Sequence, residues 1–86
     1  MNKKLIYAVK DRLGQDFNYP LFAISDLVAL RTILEHPNSF DLQTFELYCL
    51  GEFYHDTGVI IALEKPLLVC NLNDAEALYN KLKSEL

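Results

Sequence analysis

The stretch from Phe45 to Ile61 constrains the fold more than any other part of the chain. It reads Phe-Glu-Leu-Tyr-Cys-Leu-Gly-Glu-Phe-Tyr, then His-Asp-Thr-Gly, then Val-Ile-Ile. Ten residues rich in aromatic and aliphatic side chains make a long strand. The turn residues after them favour a tight reversal, and the β-branched run that follows makes a second strand. A chain holding such a hairpin must build a sheet and find something to cover it.

The rest of the sequence supplies those parts. Residues 4–10 alternate loosely, with Leu5, Tyr7 and Val9 on one side and Ile6 and Ala8 on the other, which predicts a first strand apolar on both faces. Residues 11–18, with Gly14 and several polar side chains, read as a loop, and Tyr19-Pro20-Leu21-Phe22 reads as extended because the residue before proline avoids the helical region. Ser25 is a helix N-cap with Asp26 in the first turn, and Leu27, Leu30, Ile33 and Leu34 follow at helical spacing until His36-Pro37 closes the segment.

Strands are expected over about residues 44–54 and 58–64, with Lys65-Pro66 breaking the second, and a short apolar strand over 67–72. Asn73 is expected to cap a last helix, with Glu76 completing a capping box and Ala75, Leu78, Leu82 and Leu86 as the inward stripe. The expected fold is therefore α+β: a single domain over residues 1–86, a sheet of about four strands, antiparallel or mixed, and two helices. The order is β-α-β-β-β-α, with a short extended piece before the first helix.

At 86 residues and 51% hydrophobic content the chain has enough apolar side chains for a core, although a domain this small buries only about 60% of its unfolded surface. No apolar run approaches the ~18 residues of a membrane span. The basic start, Met1-Asn2-Lys3-Lys4, resembles a signal n-region, but the apolar run behind it ends at Lys10-Asp11-Arg12, so a cytosolic protein is expected. Two helices cover one face of a four-stranded sheet. The strands are apolar on both faces, so a homodimer is expected to bury the second face or a strand edge.

Asp56-Thr57-Gly58 matches the tripeptide of aspartic proteases, whose chemistry needs two carboxylates sharing a proton in a buried cleft. In those enzymes an apolar strand leads into the Asp, and a later apolar-apolar-Gly segment supports it. Here Tyr54-His55 precedes Asp56 and no glycine follows Gly58, so a hairpin loop with Gly58 in the left-handed conformation is the better account. His36 and His55 have no zinc-site spacing, and Cys49 and Cys70 do not form a Cys-x-x-Cys pair. No metal, cofactor or catalytic residue is expected, and the cysteines read as small core residues.

The net charge of −4 argues against a strong nonspecific nucleic-acid binder. A local patch is still visible. Lys3, Lys4, Lys10 and Arg12 cluster around the first strand with Tyr7, Phe17 and Tyr19 nearby. Bases interleaved with aromatics suit single-stranded nucleic acid, through phosphate pairing and base stacking. The plainer account is a charged strand edge that blocks aggregation, with the aromatics in the core. Lys81 and Lys83 point to different sides of the last helix and read as solvated surface.

Several ordered segments also carry a family resemblance. They are Ile6-Tyr7-Ala8-Val9-Lys10-Asp11; Pro20-Leu21-Phe22; Asp26-Leu27-Val28-Ala29-Leu30-Arg31; His36-Pro37-Asn38-Ser39; residues 45–53 followed by Thr57-Gly58; and Lys65-Pro66. In order and spacing over about residues 6–66 they resemble the small nonstructural protein of gokushoviruses, the microvirus group of tiny single-stranded-DNA phages. Residues 73–86 have no counterpart in the resemblance.

The resemblance implies a non-enzymatic accessory protein in the host cytoplasm, acting in viral DNA replication or genome packaging. It implies single-stranded DNA as a partner and no catalytic residues. Charge and family context together make Lys3, Lys4, Lys10, Arg12 and Arg31 the candidate DNA contacts, although Arg31 equally suits a structural ion pair. The alternative is an interaction module that binds a phage replication or capsid protein without touching DNA.

Overall fold

The structure is a computed structural model and describes residues 2–86. Strand β1 (Lys3–Asp11) is followed by β2 (Phe17–Ala23), helix α1 (Asp26–Leu34), β3 (Phe45–Tyr54), β4 (Val59–Asn71), a 3-10 turn (Leu72–Asp74) and helix α2 (Ala75–Ser84). The four strands form one sheet in the order β2-β1-β3-β4, and every neighbouring pair is antiparallel. The fold is α+β, with four strands and two helices as the sequence led us to expect.

The two longest strands, β3 and β4, pair as a hairpin, and the loop between them is the expected turn. Gly58 takes φ of +76°, and its N–H donates to the Tyr54 carbonyl at 2.7 Å. Glycine adopts this left-handed backbone without the Cβ clash other residues meet. Gly51 is needed for a different reason. A Cβ there would lie 2.4 Å from the Ile61 carbonyl oxygen, because the β4 backbone passes closely over β3.

Helix α1 starts where expected: the Ser25 hydroxyl accepts from the Val28 N–H at 3.3 Å. At its end, His36 donates from Nδ1 to the Thr32 carbonyl at 2.8 Å. The core lies between the sheet and the helices. Tyr7, Val9, Leu47 and Cys49 contribute from the sheet, Leu30 and Ile33 from α1, and Leu72 and Ala75 from the turn and α2.

Several local expectations are corrected. The extended piece before α1 is a full strand, so two strands precede the first helix and the loop before β2 is shorter than residues 11–18. Tyr19 is not extended. It takes φ of +53°, with its ring 5.2 Å from Phe40 and 6.3 Å from Phe45, so tertiary packing overrides the usual bias before proline.

Lys65-Pro66 does not end a strand, and β4 runs through it. It lies in a break in the β3–β4 register, between the Cys49–Leu67 and Gly51–Ala62 pairs, on the last strand of the sheet. A proline there costs no central ladder bond. Asn73 does not cap α2 but falls inside the 3-10 turn. The helix starts at Ala75 after Asp74, which makes no side-chain cap bond. Leu86 is outside the inward stripe, at 93% exposure.

Candidate nucleic-acid interface

Strand alternation sorts the sheet into two unlike faces. Leu5, Tyr7 and Val9 of β1 point to the helices. Lys4, Ile6, Ala8 and Lys10 alternate onto the other side, and their register partners share that side. Lys4 pairs with Phe53, Ile6 with Phe22 and Gly51, Ala8 with Tyr48, and Lys10 with Phe17 and Glu46. From β4, Ile60 pairs with Phe53 and Leu68 with Tyr48.

The face without helices therefore carries two aromatic pairs. The Phe22 and Phe53 rings lie 5.5 Å apart, and Phe17 meets Tyr48 edge-on at 5.4 Å. Ala8 is buried beneath this layer although it is not part of the helix-side core. The layer itself stays accessible, with Phe22 at 56% and Ile60 at 63% exposure. Single residues of this kind are ordinary on a protein surface, but a contiguous set marks a site for contact.

Two bases stand in this layer. Lys10 holds its ammonium 5.6 Å from the centre of the Phe17 ring, a cation–π distance, and Lys4 is exposed beside Phe53. Glu46 faces Lys10 across the β1–β3 pair and accepts from the Tyr48 hydroxyl at 3.2 Å, so the charge of the face is mixed. Burial, with Glu46 beside it, raises the Tyr48 phenol above its ordinary value and keeps it a neutral donor.

The other candidate bases lie elsewhere. Lys3 alternates onto the helix side of β1 and forms an ion pair with Glu52 that raises the Lys3 pKa and lowers that of Glu52. Arg12 donates from its guanidinium to the Thr44 carbonyl at 3.3 Å and to the Gln43 carbonyl, clamping the segment that leads into β3. Arg31 is exposed in the last turn of α1, on the helix side of the sheet.

Of the five bases, the structure brings only Lys4 and Lys10 together on the open face. The aromatics singled out with them also divide. Phe17 is on the face, Tyr7 is buried on the opposite side, and Tyr19 packs against Phe40 and Phe45. Phe22, Tyr48 and Phe53 join the face without any Lys or Arg neighbour in sequence to mark them as contacts. The alternation within each strand was the available signal, but strand order and register were needed to gather them.

Other candidate chemistry has simpler surroundings. Asp56 is exposed at the hairpin tip and accepts from the Asn2 side chain at 3.1 Å. Among the described residues, no group of three or more His, Cys, Asp or Glu side chains could hold a metal ion. Also among the described residues, no helix is long and apolar enough to cross a membrane. Two open grooves, of about 490 and 290 Å³, lie at the helix ends. The larger runs between Ile24, Leu27 and Leu82, and the smaller between Pro20, His36 and Phe40.

Residues 4–75 match the family described as phage ORF5 protein. The chain belongs to that family. It is a small phage protein, and the match spans β2, α1, β3, β4 and all of β1 except Lys3. No curated protein and no solved structure matches it.

Proposed function

We propose that this phage ORF5 family protein is a non-enzymatic accessory factor that binds single-stranded DNA on the open face of its sheet. It would act in genome replication or packaging in the host cytoplasm, as the gokushovirus resemblance implies. The observation that carries the reading is the accessible aromatic layer of Phe17, Phe22, Tyr48 and Phe53 with Lys4 and Lys10 set into it. Every base has a π-face, so such a layer stacks bases without needing a sequence. The two ammonium groups pair with phosphates along the strand.

An overall charge of −4 limits long-range attraction, so stacking carries more of the affinity than charge does. The homodimer expected from the two-faced sheet belongs to the same proposal, arranged so that this face stays free.

Fluorescence anisotropy with a labelled oligo-dT tests the reading. Binding is expected to weaken as salt rises and to drop on Phe22→Ala or Phe53→Ala, with the fold intact by circular dichroism. Absence of binding, or binding indifferent to those substitutions, would overturn it. The alternative would then stand: a module that docks a phage replication or capsid protein through the same apolar layer.

A further inference from the structure

The outer edge of β4 is the least protected part of this fold. β4 ends the sheet order, and all ten residues from Val59 to Leu68 are exposed. Alternation puts Val59, Ile61 and Leu63 on one face and Ile60 and Ala62 on the other, and no charge occurs from Thr57 to Leu63. Edge strands usually carry charges, prolines or irregular backbone that discourage pairing. The other edge has them: β2 contains Pro20 and the positive-φ Tyr19. On β4 the protecting residues, Glu64, Lys65 and Pro66, stand beyond the apolar run and leave Val59 to Leu63 open.

A partner strand for this edge must be apolar on both faces, because both flanks of β4 are uncovered. β4 itself has that pattern. A two-fold axis normal to the sheet would pair β4 with a second copy antiparallel and keep each residue on its own face, so the axis must pass through a residue.

Charge selects which residue. An axis at Glu64 or Lys65 would set like charges opposite each other, and one at Ile60 would set Glu64 opposite Asp56. An axis at Ala62 or Leu63 would set charged side chains opposite apolar ones. An axis at Ile61 pairs Val59 with Leu63 and Ile60 with Ala62, and sets Lys65 opposite Thr57 and Glu64 opposite Gly58, so no charge directly faces a like charge or a large apolar side chain.

We infer that two copies of this chain pair antiparallel along Val59–Leu63 with Ile61 on the two-fold axis, forming a continuous eight-stranded sheet. The inference deepens the dimer reading above and rests on it. Because the axis is normal to the sheet, the two open faces point the same way and join into one longer face for a nucleic-acid strand.

Sedimentation velocity of the full chain, from low micromolar to submillimolar concentration, tests the inference. A reversible dimer is expected. Ile61→Lys should raise its dissociation constant at least about tenfold, while Leu13→Lys, in an exposed loop, leaves it unchanged. Leu63→Lys is a second variant in case the first disturbs folding, which circular dichroism would report.

In a separate arm, Ile61→Cys should form an intermolecular disulfide on mild oxidation and Leu67→Cys should not, since only residues at the axis bring their Cα atoms within disulfide reach. A protein monomeric at every concentration would overturn both the dimer and the edge pairing. A dimer indifferent to Ile61→Lys, with no cross-link at position 61, would overturn the edge pairing and leave the dimer to another surface. The oligo-dT measurements are read apart from either result.

Discussion

Tyr7 donates a hydrogen bond from its hydroxyl to Oδ1 of Asp26 at 2.5 Å, tying the centre of the sheet to the first turn of α1. The tyrosine is fully buried, so its hydroxyl needs a partner, and the carboxylate also lies where the helix dipole favours negative charge. Tyr7→Phe keeps the ring and removes the bond. A hydrogen bond to a charged group contributes about 1.5–3 kcal/mol, so a loss of that size is expected. The check is a lower urea midpoint with an unchanged m-value.

The same pair sets an alkaline limit. Burial first, and then Asp26, push the Tyr7 phenol far above its ordinary value. The folded-state pKa is raised, so the contribution is fully present below the unfolded value, near pH 10, and is lost as pH rises beyond it. Wild-type stability should therefore fall more steeply above about pH 10 than that of Tyr7→Phe. Equal slopes in urea melts across that range would contradict the assignment.

Gly51→Ala tests the close passage of β4 over β3. The new methyl would meet backbone, the Ile61 carbonyl oxygen at 2.4 Å and the Ala62 Cα at 3.0 Å, and backbone cannot rotate away as a side chain can. Overpacking of this kind costs about 1–3 kcal/mol. The expected outcome is a lower thermal midpoint. Faster amide exchange in residues 59–62 than in the wild-type protein, with β1 unchanged, would place the damage in the hairpin.

Much of this architecture was legible in local pattern, and the misses share one cause. Ser25 as a cap and Gly58 in the turn depend on neighbours within a few residues, so sequence reading reaches them. Pro66 depends on where β4 lies in the sheet: at the edge, in a register break, it is tolerated, and a strand that looked like two is one. Tyr19 depends on Phe40 and Phe45, more than twenty residues away. The aromatic layer draws Phe17 and Phe22 from β2 and Tyr48 and Phe53 from β3, strands that are not adjacent but are separated by β1. Strand order is decided by the whole chain, so the charged half of the site was visible in the sequence and most of the aromatic half was not.

The two thiols should be slow to react in the folded state. Burial pushes Cys70 up to about 11, with Asp74 and Asp26 adding to the shift, and burial likewise raises Cys49. The thiolate is the nucleophile, so alkylation by iodoacetamide at neutral pH should be far slower than for the urea-unfolded chain. The rate should climb with pH through the alkaline range. A fast-reacting thiol in the native protein would mean that one of them is more accessible than the packing of β3 and β4 allows.

The five bases are separable by salt. If Lys4 and Lys10 alone pair with phosphates, the log–log salt slope for oligo-dT should be about −1.4 per chain, since each neutralised phosphate contributes about 0.7 for single strands. Lys4→Gln or Lys10→Gln should each reduce the slope by about 0.7 and weaken binding alike for every sequence. Arg31→Gln removes a charge from the helix side and should leave the slope unchanged, as should Lys3→Gln, whose ammonium already faces Glu52. Arg12→Gln should instead lower stability, because its guanidinium holds the Gln43 and Thr44 carbonyls. A slope that drops with Arg31→Gln and not with Lys10→Gln would move the binding surface from the open face of the sheet to the helices.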